Sequence, residues 1–207
     1  MPLDNLHMTT LEVTHSRSPQ EIDHLVSVLL PNIDNILELP RTRRARLVKP
    51  MVSYDSAALA LSFVPASGEV TREAAQPPDD AYTYHHLRRD LHGAVEKAGV
   101  KVASRYVVPS SHITIARFNT PNVFGNCEAV MDHELTTDIA RRETWIDAIE
   151  EINKRLEEEY WPKPDEDMPA GGEWIIAEER GLDFRKGRLW YGGGETVKLG
   201  KSVILRG

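Results

Sequence analysis

The sequence predicts a mixed α/β or α+β fold in one domain covering residues 1–207, and three observations point that way. Helix-period and strand-period segments interleave along the chain, and no internal repeat or low-complexity tract interrupts them. The 207 residues are 41% hydrophobic and 28% charged, enough apolar material for a substantial core beneath an ordinary polar surface.

The first strand is expected over residues 6–13, with His7, Thr9, Leu11 and Val13 on one face and Met8, Thr10 and Glu12 on the other. Ser18-Pro19-Gln20-Glu21 reads as a helix start. Ser18 is the N-cap, Pro19 takes the first helical position and Glu21 completes a capping box. That helix carries Leu25, Leu29, Ile33 and Ile36. Pro31 lies within it, removing a backbone donor, so a kink or two shorter helices are expected. Strand-like runs at 45–54 and 57–64, separated by Asp55-Ser56, predict a hairpin whose turn lacks glycine. Residues 65–80 shift to Pro, Gly, Ala and acidic side chains, the composition of a long loop that can move or close over a site.

A helix is expected over 81–98, with Leu87, Leu91, Val95 and Ala98 along its buried stripe and Gly99 as its stop. Strands at 100–108 and 112–118 follow, the second carrying His112, Thr114, Ala116 and Phe118 on one face. An irregular stretch over 119–137 then leads to a helix over 143–160, ended by Pro162, with Ile146, Ile149, Ile152 and Leu156 on its apolar side. After an acidic, Pro-containing loop at 163–172, short strands at 174–177, 187–191 and 197–205, turned by Gly192-Gly193-Gly194, are expected to close the sheet.

Composition removes several classes of function. No apolar run approaches the roughly 18 residues that cross a bilayer, and the N-terminus lacks the basic-then-apolar pattern of a secretory signal. A soluble intracellular protein, cytoplasmic or nuclear and not membrane-bound, is the expectation. The single cysteine, Cys127, cannot form an internal disulfide or a Cys-rich zinc cage, in keeping with a reducing compartment. A net charge of −7 opposes the coating of long duplex nucleic acid, which rests on many clustered Lys and Arg contacts to phosphate. A small nucleotide or an RNA terminus remains compatible as partner, bound by a monomer.

The chemical signal is a recurring His-x-Thr, His7-Met8-Thr9 and His112-Ile113-Thr114, on two strand-like segments roughly 100 residues apart. Residues two apart in a strand project from one face, so each motif presents an imidazole beside a hydroxyl. Two such strands facing each other make a cradle of four groups. An imidazole exchanges protons near neutral pH and a threonine hydroxyl donates to a phosphate oxygen. Opening a cyclic phosphodiester needs one histidine to activate water and another, opposite, to protonate the departing ribose oxygen. That scheme demands no metal and no cofactor. The residues alone also allow two structural histidines, since polar side chains in strands are commonly satisfied core or edge groups. None of His15, His24, His85, His86, His92 or His133 repeats the pattern.

His7-Met8-Thr9-Thr10-Leu11 and His112-Ile113-Thr114-Ile115 resemble the paired H-x-T-x signatures of the two-histidine phosphoesterase superfamily, which includes RNA ligase-like proteins and cyclic nucleotide phosphodiesterases. The resemblance extends to the order of elements over most of the chain. It implies a bilobal α+β domain with pseudo-twofold symmetry, two sheets around a central groove, helices on the outer faces, and metal-independent hydrolysis of 2′,3′-cyclic or related phosphodiesters. It implies His7 and His112 as the catalytic pair and Thr9 and Thr114 as phosphate-binding groups. His7 is then the general acid and His112 the base, with the reverse left open. Two features depart from the pattern. His7 lies near the N-terminus, where family members usually have a strand and a helix first, so the first motif is expected on a less protected edge. Thr10 is polar where an apolar residue is usual. A non-catalytic nucleotide or RNA-end binding module, and an RNA ligase running the reverse reaction, are the alternative functions.

Weaker candidates complete the reading. Arg41, Arg43, Arg44, Arg46 and Lys49 form a basic run in an acidic protein, either a solvated face or a phosphate contact, with Arg44 the candidate for substrate. Tyr191, with Trp190 and the glycines after it, is either a stacking surface for a base or core packing. Arg117 alternates away from His112 and Thr114, which suggests a salt bridge or a back-face contact. The histidines at 85, 86 and 92 read as surface groups, since they lack the spacing of a zinc-protease helix.

Overall fold

The structure, a computed structural model, describes residues 1–72, 79–104, 110–118, 132–188 and 194–202, with 132–140 described as helical backbone only. It is an α+β fold. Helices α1 (Pro19–Leu29), α2 (Ile33–Leu37), α3 (Leu39–Thr42), α4 (Tyr84–Lys97) and α5 (Asp132–Tyr160) accompany strands β1 (Arg46–Tyr54), β2 (Ala58–Pro65), β3 (Ser111–Arg117), β4 (Glu173–Ile175), β5 (Asp183–Lys186) and β6 (Glu195–Leu199). One antiparallel sheet has the order β3-β2-β1-β4, and β5 and β6 pair separately. Among the described residues no helix is long and apolar enough to cross a membrane.

Local sequence chemistry explains most of these elements. Ser18 accepts from the Glu21 backbone N–H while the Glu21 carboxylate accepts from the Ser18 N–H at 2.8 Å, so the capping box starts α1. Pro31 interrupts the apolar run: a 3-10 turn over Leu30–Asn32 separates α1 from α2. The β1–β2 hairpin turns without glycine because the Asp55 carboxylate accepts from the N–H groups of Ala57 and Ala58, at 2.7 and 2.8 Å. Within β1 the register shifts between Val48 and Met51, where Lys49 has a φ of 57° and Pro50 offers no donor. The Trp161 indole donates to the Pro50 carbonyl at 2.9 Å, tying the end of α5 to that irregularity. Gly99, with a φ of 95°, terminates α4 as its position predicts.

The core lies between the helices and the sheet. Leu29, Ile33, Leu37, Leu47, Tyr84, Leu87, Leu91, Val95, Val100 and Ile176 are buried together, and each large aliphatic among them contributes roughly 1.5–3 kcal/mol. Periodicity located Leu29, Ile33, Leu87, Leu91 and Val95, because one helical face has one environment, but not Leu37 or Tyr84.

Four expectations need correction. Residues 6–13 do not form a strand: a single bridge joins Met8 to Ile113 and the chain bends at Thr10. Met8, Leu11 and Val13 all pack on the core, which strict alternation forbids and a bend allows. Residues 100–104 are likewise outside any strand, although Ala103 donates to the Val13 carbonyl at 2.8 Å; residues 105–109 lie outside the described residues. Helix α5 begins at Asp132, not near residue 143, so part of the expected irregular stretch is helical. In the tail, β4 alone joins the large sheet, β5 precedes Gly187, and β5 and β6 make their own ladder. Part of the loop after β2 is held rather than free, since the Glu69 and Val70 carbonyls accept from Arg46.

Candidate functional site

Strand β3 orients the second motif. Ser111 is buried and donates to the Phe63 carbonyl at 2.6 Å, and its Cα partner Phe63 packs on the core. Ser111 and Ile113 therefore share the core-facing side, and alternation turns His112 and Thr114 to the other, beside Ser62 and Ala60 of β2.

The bridge between Met8 and Ile113 is antiparallel and joins the central residues of the two motifs. That register sets His7 opposite Thr114 and Thr9 opposite His112. The two histidines become diagonal neighbours, a relation that separates side-chain origins by roughly 7–8 Å. All four side chains are half-buried, so they are partly desolvated but reachable. The terminal ammonium of Met1 donates to the Ile115 carbonyl at 2.8 Å, holding the chain before the first motif against β3.

Hydrogen bonds select the ring edges. A 3-10 turn over Leu3–Asn5 aims the Asn5 carbonyl at His7, whose Nδ1 donates to it at 2.8 Å. A carbonyl only accepts, so Nδ1 carries a proton and Nε2 is the edge left for chemistry. His112 Nδ1 lies 3.0 Å from the Ser110 hydroxyl.

Burial lowers the pKa of His112 below the ordinary histidine value, the charges of Arg117 and Arg88 lower it further, Asp55 opposes them, and His7 adds to the depression. Depression means that the folded chain holds a proton at His112 less firmly than the unfolded chain. Its contribution to stability is present above about pH 6.5 and is lost as pH falls through the folded midpoint. We expect an NMR titration of the His112 ring to show a midpoint below about 6.5. A midpoint at or above that value would contradict the burial and the neighbouring cations.

Sequence reasoning missed Arg88 and Tyr84. On α4 the buried residues are Tyr84, Leu87, Arg88, Leu91 and Val95, so an arginine occupies a core position of the helix. The Arg88 Cζ lies 5.8 Å from the centre of the Tyr84 ring, and the Tyr84 hydroxyl reaches the Thr9 carbonyl at 3.5 Å. The signal was available: Arg88 stands four residues after Tyr84 and three before Leu91, on the apolar stripe.

The basic run is engaged by carboxylates. Arg41 pairs with Glu38 at 2.6 Å, Arg43 with Asp90 at 4.0 Å, Arg44 with Glu178 at 3.8 Å and Lys49 with Glu69 at 2.7 Å. Arg46 is buried among Glu173 and Asp80. Arg44 thus sits next to β1, two strands from β3, on an acidic partner rather than beside the paired motifs. Tyr191 and Trp190 lie outside the described residues. His86 caps α4, its Nδ1 accepting from the Thr83 N–H at 3.1 Å. Arg117, expected to act elsewhere, does influence His112 through its charge. Among the described residues no group of three or more His, Cys, Asp or Glu side chains is placed to hold a metal ion. No family model, no curated protein and no solved structure matches this chain.

Proposed function

We propose that this chain hydrolyses a cyclic phosphodiester, a 2′,3′-cyclic nucleotide or an RNA 2′,3′-cyclic phosphate end, as a two-histidine phosphoesterase. The observation that carries the reading is the antiparallel bridge between Met8 and Ile113, which opposes each imidazole with the other motif's hydroxyl. A phosphate between the motifs meets Thr9 and Thr114 as donors and an imidazole on either side.

The depressed pKa of His112 leaves its ring largely neutral at neutral pH, so His112 is the base and His7 the acid. His112 takes a proton from water as the water oxygen bonds to phosphorus. The bond from phosphorus to one ribose oxygen breaks, and the proton on His7 Nε2 moves to that oxygen. Both imidazoles return to their starting states by exchanging one proton. The protons need no metal in this scheme. A bilobal arrangement around the groove belongs to the same reading.

The test is incubation of the native chain with a panel of 2′,3′-cyclic nucleotides in the presence of chelator. Conversion to one isomer of the nucleoside monophosphate is expected, and the isomer identifies the leaving oxygen. No conversion across mononucleotides and cyclic-phosphate-ended RNA would end the hydrolase reading. Thermal stabilisation by the same compounds without their consumption would favour the binding module. Joining of a cyclic phosphate end to a 5′-hydroxyl would favour the ligase.

A further inference from the structure

Ser62 of β2 is the Cα partner of His112. Directly opposed residues of an antiparallel pair share one face of the sheet, with Cβ atoms roughly 4.5–5.5 Å apart. This face is turned from the core, because Phe63, the next residue of β2, packs on the core instead. Ala58, Ala60 and Val64, the residues of β2 that alternation puts on the same face, carry no polar side-chain atom. Ser62 is half-buried, and its hydroxyl shares a hydrogen bond with that of Ser53 on β1, which fixes its direction. Whichever of the two hydroxyls donates, the Ser62 oxygen keeps at least one lone pair. The first motif bridges the other edge of β3, so Ser62 flanks His112 on the side away from it.

We infer that Ser62 orients the attacking water, accepting through Oγ the hydrogen that the water keeps while His112 takes the other. The inference rests on the phosphodiesterase reading, in which Thr9 and Thr114 donate to the phosphate. A water has two hydrogens, and its lone pair faces phosphorus only when both are directed elsewhere. As the water oxygen bonds to phosphorus and the bond to the ribose oxygen breaks, the retained hydrogen passes into the product phosphate. Ser62 neither gains nor loses a proton. Methanol has a single O–H hydrogen, which goes to His112, so a methanol nucleophile makes no use of the Ser62 oxygen.

Turnover of a 2′,3′-cyclic nucleotide in water–methanol mixtures, with the hydrolysis and methanolysis products counted separately, tests this on the native chain and on Ser62→Ala. Hydrolysis by Ser62→Ala is expected to fall about 3- to 10-fold in kcat, the worth of one neutral hydrogen bond, with KM within about twofold of native. Methanolysis should stay at the native rate. Ser62→Thr should keep most of the hydrolysis and Ser62→Val should not. These two side chains share a shape and suit a strand, so the comparison holds even where Ser62→Ala fails to fold. Unchanged hydrolysis in Ser62→Ala and Ser62→Val overturns the inference and leaves the hydrolase reading standing. Equal loss of hydrolysis and methanolysis overturns it too, since that marks a serine that only supports the sheet. A native chain that turns over no cyclic phosphate removes the hydrolase reading, and this inference with it.

Discussion

Replacing His112 by Ala is expected to lower kcat for a 2′,3′-cyclic nucleotide by about a hundred- to ten-thousand-fold, the range that a positioned proton-transfer group contributes. The reason lies in how little else at the site can take the proton. Thr9 and Thr114 offer hydroxyls, which donate to phosphate but are poor bases at neutral pH. His7 is committed through Nδ1 to the Asn5 carbonyl, and the proposed mechanism assigns it to the leaving oxygen. The substitution should leave the fold intact, since His112 is half-buried and the start of β3 is anchored by Ser111. An unchanged urea midpoint would establish that. His7→Ala should cost a similar factor. The double variant should lose little more than either single one, because an acid and a base acting on one phosphate work as a unit. Turnover within about threefold of native in either single variant, against the hundredfold minimum for such a group, would dismiss the paired mechanism.

Replacing Arg46 by Ala is expected to destabilise the chain by about 3–5 kcal/mol, the cost of breaking a buried ion pair from one side. All five N–H donors of this guanidinium are engaged. Nε donates to Glu173 at 3.0 Å, one terminal nitrogen to both Asp80 oxygens at 3.1 Å, and the other to the Glu69 and Val70 carbonyls at 3.1 and 2.8 Å. The Glu173 side chain is fully buried, so losing Arg46 leaves its carboxylate to the part-exposed Arg72 and the Thr71 hydroxyl. The network ties β1 to β4 and to the loop after β2, and its loss should loosen that loop as well. Arg46→Lys should recover only part of the stability, because an ammonium cannot span five acceptors. Denaturant unfolding measures the effect directly. A change below about 1 kcal/mol would show that the network is solvated in solution and contributes as a surface pair does.

The legible part of this protein is what short-range chemistry decides. The capping box at Ser18, the break at Pro31, the Asp55 turn and the stop at Gly99 each depend on a few consecutive residues, so the sequence predicts them and the structure contains them. The buried stripe of α4 was readable for its apolar members, because a 3.6-residue period needs only one face to meet the core. The paired His-x-Thr motif was recognisable as a candidate for the same local reason.

Other features depend on contacts between distant segments. Whether residues 6–13 alternate or bend was decided by Met8, Leu11 and Val13 all finding the same core, a preference that no window of eight residues contains. The opposition of the two motifs comes from one antiparallel bridge across roughly 100 residues. The basic run looked like a surface or a phosphate contact because its carboxylate partners lie far along the chain, Asp80 and Glu173 for Arg46 and Glu178 for Arg44. Arg88 was passed over on its helix for the complementary reason. Burial of a charge is invisible in a periodic pattern until the tertiary structure shows what surrounds it. Thus the sequence by itself determined the local elements and the pair of candidate His-x-Thr motifs, whereas tertiary packing decided the register between the motifs and which cations are neutralised. Electrostatic pairing and strand register are both fixed by distance in space, which the order of residues does not contain.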